Sequence, residues 1–165
     1  MKKLLLMLVA ITLSAFCFSQ DVNPPVNNTA SSTNNVDELI KTLNAELIVH
    51  FKNANPDPSY WQIGYNSDTK EIIMSDIDKA SQEIFNSYTF EPKFIKSINT
   101  YEESSHFSIS IKAVTVAIEF EDALGDFELK DEFSMKMLEG TEAEINKIKQ
   151  DLVTLLKTLG APLSE

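Results

Sequence analysis

Short runs in which apolar and polar residues alternate fill the middle of this chain, and they constrain its fold more than any other feature. Trp61, Ile63 and Tyr65 alternate with less apolar neighbours. Residues 66–69 supply turn chemistry, and residues 71–74 form a second apolar run. Because a period of two places every second side chain on one face of a strand, we predict an antiparallel hairpin here.

The alternation returns after His106. Its apolar residues first lie on odd positions and then on even positions: Phe107, Ile109 and Ile111, then Val114, Val116, Ile118 and Phe120. In one straight strand these two sets would face opposite sides, so we predict a turn or a bulge at Lys112–Ala113. After a loop at residues 122–126, a further strand is predicted to carry apolar side chains on one face, namely Phe127, Leu129, Phe133 and Met135.

Residues 77–101 follow neither the helical nor the strand period. We predict a short helix near residues 78–86 and a strand near residues 93–99.

Helical patterns flank the alternating region. Residues 36–54 carry apolar side chains at helical spacing before Pro56. The C-terminal pattern begins with a capping box formed by Thr141 and Glu144 and ends before Gly160. Its apolar stripe consists of Ile145, Ile148, Leu152, Leu155, Leu156 and Leu159.

These elements predict an α+β fold. It has an N-terminal helix, an antiparallel meander of about five or six strands, and a C-terminal amphipathic helix packed on the sheet. A meander closed by such a helix is similar to the pleckstrin-homology-like arrangement, in element order alone, over roughly residues 60–160. Chaperone-like and helix-grip arrangements share many of the same elements.

The first residues have the pattern of a secretory leader. Lys2 and Lys3 precede an uncharged apolar run at residues 4–18, which is shorter than the roughly 20 residues needed to span a bilayer. We therefore predict a signal peptide at residues 1–19, a disordered spacer at 20–35 and one globular domain at 36–165. The mature protein is then periplasmic or secreted, without a transmembrane segment. In the alternative interpretation, Cys17 is the lipid-anchored first residue of a bacterial lipoprotein.

Charge and cysteine content exclude several classes of function. The chain has 25 acidic residues against 14 lysines and no arginine, which gives a formal net charge of −11. Such a surface repels phosphates, so we expect no nucleic-acid partner and no anionic membrane surface as a partner. Cys17 is the only cysteine, so the mature domain has neither a disulfide nor a thiol nucleophile. No motif indicates a cofactor, and we expect none.

An aromatic-rich stretch and one aspartate are the candidate binding residues. Phe85, Tyr88, Phe90 and Phe94 follow no period, so they either fill the core or grip a partner or an apolar ligand. Asp131 has the same parity as the apolar residues around it. It therefore either points inward and lines a cavity, or sits in a bulge or turn that lets it face water.

The histidines and acidic clusters carry weaker signals. His106 lies close to Glu103 and to serines, but the nucleophile-elbow motif is absent. A zinc site would require His50, His106 and carboxylates to converge, and the acidic residues around positions 119–128 lack the calcium-loop pattern. We expect no metal site and no catalytic residue.

The resulting hypothesis is a non-catalytic binding or accessory module outside the cytoplasm, whose partner is a protein or an extracellular component. Its oligomeric state is left open. One alternative is a carrier of a small apolar ligand in a cavity between the sheet and the last helix. Another is a hydrolase that uses His106.

Overall fold

A computed structural model describes residues 29–53, 59–103, 106–137 and 140–164. The predicted signal peptide, Cys17 and most of the predicted spacer lie outside these residues. Two helices flank the strands, α1 (Thr29–His50) and α2 (Glu142–Thr158). The described strands are β1 (Lys52–Asn53), β2 (Ser59–Asn66), β3 (Glu71–Asp78), β4 (Ile84–Phe90), β5 (Ile95–Glu103), β6 (His106–Ala113), β7 (Ile118–Asp122), β8 (Phe127–Lys130) and β9 (Glu132–Met137). A short 3₁₀ helix, Pro92–Phe94, precedes β5.

The strands form two antiparallel sheets. Six strands pair in the order β1-β2-β3-β4-β7-β8, and three pair in the order β5-β6-β9. The predicted α+β class, with helices at both ends and α2 packed on the strands, is confirmed. The described strands are more numerous than the five or six predicted, and they do not form a single meander because β4 pairs with β7.

One continuous core lies between the sheets and the helices. Leu43 and Leu47 of α1 are fully buried, as are Leu152 and Leu155 of α2. They pack in one cluster with strand residues that include Ile63, Met74, Ile95, Ile109, Ile111 and Met135. The apolar stripe of α2 therefore closes the core, as amphipathic burial requires.

The cap of α2 has the predicted geometry. The Thr141 hydroxyl accepts a hydrogen bond from the Glu144 backbone N–H at 3.3 Å. The Glu144 carboxylate in turn accepts one from the Thr141 N–H at 2.7 Å. The bond from the Thr141 N–H, together with one that the same carboxylate accepts from the Thr141 hydroxyl at 2.9 Å, holds the pKa of Glu144 below its usual range. The predicted capping box is confirmed.

An asparagine side chain ties α1 to the first long strand. The Asn44 amide group donates to the Ile63 carbonyl at 2.9 Å, and its oxygen accepts from the Ile63 N–H at 2.7 Å. The paired register of the short strand β1 covers only Ser59 and Tyr60 of β2. Asn44 therefore takes the place of a neighbouring strand at a part-buried backbone position.

The described part of α1 already includes Thr29, ahead of Val36, where its apolar period starts. Apolar periodicity detects only the buried side of a helix, and the residues before Val36 carry no such period.

The predicted helix near residues 78–86 is wrong. β3 continues to Asp78, whose carboxylate accepts a hydrogen bond from the Ala80 N–H at 2.7 Å and another from the Ser81 N–H. This Asx-type turn competes with a helix for the same backbone groups. The chain then enters β4 at Ile84.

The strand predicted to run from Phe127 to Met135 is divided at Asp131. β8 belongs to the six-stranded sheet, whereas β9 belongs to the three-stranded sheet. The Asp131 carbonyl accepts a hydrogen bond from the Ala113 N–H at 2.8 Å, which fixes the bend. Consequently Phe133 is buried while Phe127 is exposed, and the expectation that they share one buried face is corrected.

Candidate functional site

Two of the predicted binding residues, Tyr88 and Phe90, lie in an aromatic cluster that joins the two sheets. Phe133 of β9 stacks on Tyr88 of β4 with ring centroids 4.3 Å apart and an interplanar angle of 13°. Its ring also lies 6.2 Å from that of Trp61 and 6.0 Å from that of Phe90. Trp61, Phe90 and Phe133 are all buried. Their arrangement is that of core packing between layers.

The outer side of this cluster is polar. Tyr88 is half-buried, and burial raises the pKa of its phenol, with the carboxylates of Asp76 and Glu128 raising it further. Phe120 lies beside Tyr88 at 5.1 Å, and the Lys130 ammonium sits 3.9 Å from the centre of the Phe120 ring. The neutral phenol of Tyr88 and the Lys130 ammonium on the face of the Phe120 ring thus cover the edge of the cluster.

The remaining predicted residues are placed elsewhere. Phe85 is half-buried beside the register shift between β3 and β4. Phe94 is half-buried in the 3₁₀ helix, with the Lys93 ammonium 4.8 Å from its ring centre. Asp131 is exposed at the bend before β9, which agrees with the turn alternative and not with the inward one. The five predicted residues therefore do not line one site.

A small open groove of about 280 Å³ lies where β4, the 3₁₀ helix, β7 and β8 meet. Its apolar lining includes Phe90, Phe94, Val116 and Leu129. Its polar lining includes three carboxylates, those of Glu71, Glu91 and Glu119. The groove thus combines apolar walls with negative charge.

Exposed apolar side chains continue from this groove along the end of the six-stranded sheet. We call Val116, Leu124, Phe127 and Leu129 the apolar edge. Their exposed fractions are 58, 88, 61 and 50%. Extended exposed apolar surface on a folded protein typically marks an interaction site.

The strand beneath the apolar edge has a free side. Among the described residues, β8 pairs with β7 alone and ends the strand order of its sheet. Phe127 and Leu129 lie on one face of β8, opposite Glu121 and Glu119 of β7. An unpaired strand of this kind offers a row of backbone N–H and C=O groups to another chain.

The turn before β8 is well defined by hydrogen bonds. The Asp122 carboxylate accepts from the Leu124 N–H at 2.8 Å and from the Asp126 N–H at 3.0 Å. Gly125 completes the turn with a φ of 81°, which favours glycine. Leu124 is therefore presented to solvent by a structured turn.

A larger groove of about 570 Å³ lies on a different part of the molecule, between β5, α2 and the segment after α2. We call it the lysine groove because Lys96, Lys149 and Lys157 line it. The contact between α2 and the sheets beneath it is filled by buried apolar residues such as Ile148 and Leu155. The lysine groove is therefore an open surface feature.

His106 and Glu103 come together at the ends of β5 and β6, where they are register partners. The His106 Nε2 and Glu103 Oε2 atoms lie 2.9 Å apart. Ser104 and Ser105, the serines between them, lie outside the described residues. Among the residues that the structure does describe, no group of three or more histidine, cysteine, aspartate or glutamate side chains is arranged to hold a metal ion.

The helices that the structure describes are α1 and α2. In this part of the chain, neither helix combines the length and the apolar character needed to cross a bilayer.

The sequence and the structure were compared with known proteins. No protein-family model, no curated protein and no solved structure matches this chain. The pleckstrin-homology-like element order therefore stays a prediction, and any functional assignment depends on the geometry described above.

Proposed function

We propose that this chain is an exported, non-catalytic module that binds an extended segment of a partner protein as an additional strand on β8. One observation carries this proposal: β8 is an edge strand whose Phe127 and Leu129 side chains are exposed on one face. Strand addition uses the free backbone groups for affinity and alternate side chains for specificity.

The charges around β8 determine the chemistry of the partner. Glu119 and Glu121 flank the exposed apolar side chains on one face, and Glu128 lies on the other face of β8. An added strand alternates its side chains in the same way. A segment in which apolar residues alternate with lysine or arginine would place its apolar residues beside Phe127 and Leu129, and a basic residue near Glu128.

A second copy of the chain is a poorer occupant of the same edge. Antiparallel pairing of two β8 strands would double the acidic charge around this edge, since each copy carries Glu128 on β8, Asp126 before it, and Glu121 and Asp122 on the strand behind it. Lys130 supplies one positive charge per copy and is already paired with Glu128, Nζ to Oε2 at 3.2 Å. Net negative charge on both copies disfavours their association.

Two further considerations support the proposal. The leader pattern at residues 1–19 favours export, and an exposed apolar edge is tolerated in an acidic protein because net charge limits self-association. The contact between α2 and the sheets is filled by Ile145, Leu152 and their neighbours, which favours a binding surface over an internal carrier cavity.

Titration calorimetry with a short synthetic peptide of alternating lysine and valine tests the proposal. We expect saturable binding, and no binding of the peptide in which glutamate replaces lysine. The double variant Phe127→Ser/Leu129→Ser should weaken binding about tenfold or more, because apolar anchors dominate interface energy.

The matched control is Ile48→Ser/Val49→Ser, which removes two apolar side chains of α1 that are 45 and 51% exposed. This variant should bind as the unmodified protein does. Equal binding of the lysine and glutamate peptides, or equal loss in both double variants, would contradict the proposal. If the protein sediments as a dimer and the Phe127→Ser/Leu129→Ser variant sediments as a monomer, the strand added to β8 comes from a second copy of the chain and not from a partner protein.

A further inference from the structure

The lysine groove concentrates positive charge in a protein that has little of it. The chain carries 14 lysines against 25 acidic residues. Three of these lysines line this one groove, and its described lining contains no aspartate or glutamate: Lys96, Ser97, Ile98, Asn99, Lys149, Gln150, Val153, Lys157, Leu163 and Ser164. The local charge is thus opposite to that of the whole molecule.

Helix geometry sets the length of this positive strip. Lys149, Val153 and Lys157 are spaced four residues apart on α2, so they lie on one face of the helix. At about 1.5 Å per residue, the two lysines are separated by about 12 Å along the helix axis. Lys96 faces them from β5, across the groove. Val153 adds apolar surface to the groove lining between the two lysines.

These three ammonium groups form no close ion pair within the described part of the protein, although Lys96 lies near enough to Glu132 to help lower the pKa of that carboxyl. The Nζ atoms of Lys93, Lys112, Lys130 and Lys147 each lie within 4.0 Å of a carboxylate oxygen. No such ion pair involves Lys96, Lys149 or Lys157 among the described residues. Lys149 and Lys157 are half-buried as whole residues, so their aliphatic stems pack on the protein surface beside the groove.

We propose that the lysine groove binds an elongated small molecule that carries at least two anionic groups. Its volume of about 570 Å³ falls within the roughly 300–1,000 Å³ typical of small-molecule sites. The two ends of the strip would each hold one anionic group, and Asn99 and Gln150 would supply hydrogen bonds between them. This site is separate from the apolar edge and does not depend on the function proposed for it.

Two probes of different anion chemistry test the proposal, inorganic tripolyphosphate and citrate, with maltotriose as an uncharged probe. Titration calorimetry at constant ionic strength should show saturable binding of at least one anion and none of maltotriose. Binding of tripolyphosphate alone assigns the site to phosphorylated ligands, and binding of citrate alone assigns it to polycarboxylates. If neither anion binds saturably, the proposal is overturned.

Matched lysine variants separate a site from general charge. The groove variant Lys96→Gln/Lys149→Gln/Lys157→Gln should lose roughly tenfold or more in anion affinity, because each lost ion pair weakens binding. The control replaces the same number of exposed lysines outside the groove lining, Lys41→Gln/Lys79→Gln/Lys136→Gln.

Equal loss of affinity in the two triple variants would overturn the proposal, since net charge would then explain the binding. If the groove triple variant unfolds, the single variant Lys96→Gln replaces it, because Lys96 is exposed on β5. Its anion affinity should fall measurably, and an unchanged affinity counts against the site. Binding of the alternating lysine–valine peptide should be the same in the groove variants and the unmodified protein, which keeps this test distinct from that of the apolar edge.

Discussion

Replacing Phe133 with alanine should be among the most destabilising single changes in this protein. Phe133 is 5% exposed and is the β9 contribution to the aromatic cluster. Its ring stacks on Tyr88 at 4.3 Å and lies within about 6 Å of the Trp61 and Phe90 rings. The substitution removes the aromatic contact between the two sheets.

The expected cost follows from burial and from the ring contacts. Truncation of a buried phenylalanine to alanine typically costs about 3–5 kcal/mol, because apolar transfer energy is lost and a cavity remains. The stacked pair with Tyr88 places this residue in the upper part of that range, since such pairs add about 0.5–1.5 kcal/mol. A single domain is usually stable by only about 5–15 kcal/mol. The variant should therefore fold, but with a much smaller free energy of unfolding.

Urea denaturation measures this loss. Trp61 is the only tryptophan and contacts Phe133, so its fluorescence reports on the cluster, and far-ultraviolet circular dichroism reports on the whole fold. The control is Phe127→Ala, because Phe127 is 61% exposed and its removal should cost about 0.5 kcal/mol or less. A loss below about 1 kcal/mol for Phe133→Ala, or equal losses in both variants, would refute the assignment of the cluster to the core.

Three further changes test single interactions. Asn44→Ala should lower the free energy of unfolding by about 1–3 kcal/mol in urea titrations, since two part-buried backbone groups of Ile63 lose their partner. An unchanged free energy of unfolding would contradict the role of Asn44 as a substitute for a strand. Thr141→Ala should cost about 0.5–2 kcal/mol through the lost cap of α2, and thermal melting that matches the unmodified protein would contradict this. Hydrogen bonds from Ser110 and Lys112 lower the pKa of Glu132, so its stabilisation is present above the ordinary glutamate pKa of about 4.3 and is lost as pH falls through the folded-state value. Glu132→Gln should therefore lower stability at neutral pH and flatten its decline in acid, and an unchanged profile would contradict the linkage.

The helix at the C-terminal end was predictable because its signals are local. The capping box, the apolar stripe and Gly160 all act within one element, and α2 forms where they indicate. The hairpin of β2 and β3 was predictable for the same reason, since its period and its turn chemistry agree. When local signals agree with one another in this way, tertiary packing does not change the predicted element.

Two features depended on contacts that are distant in sequence. The bend at Asp131 is fixed by the Ala113 N–H, so parity alone could not show that Phe127 and Phe133 belong to different sheets. The turn at Asp78 competes with a helix through a side chain, and a search for periodicity does not register it.

The candidate sites show the same limit. Tyr88 and Phe90 stood out within an aromatic stretch without a period, yet they lie two residues apart on one face of β4 and pack into a core between two sheets. Phe127 and Leu129 resembled core residues, although the charged residues on both sides of each one were a signal of solvent exposure. The lysine groove joins β5 to α2, residues that are about fifty positions apart in sequence, and no local pattern marks it.

Amide hydrogen exchange at β8, measured with and without the alternating lysine–valine peptide, tests the central proposal most directly. An added strand would pair with the free backbone groups of Phe127–Lys130, so exchange there should slow when the peptide is present, while that of the fully paired strand β3 stays constant. Unchanged exchange at β8, or slowing that appears instead along β5 and α2, would show that an extended basic segment does not bind to this edge.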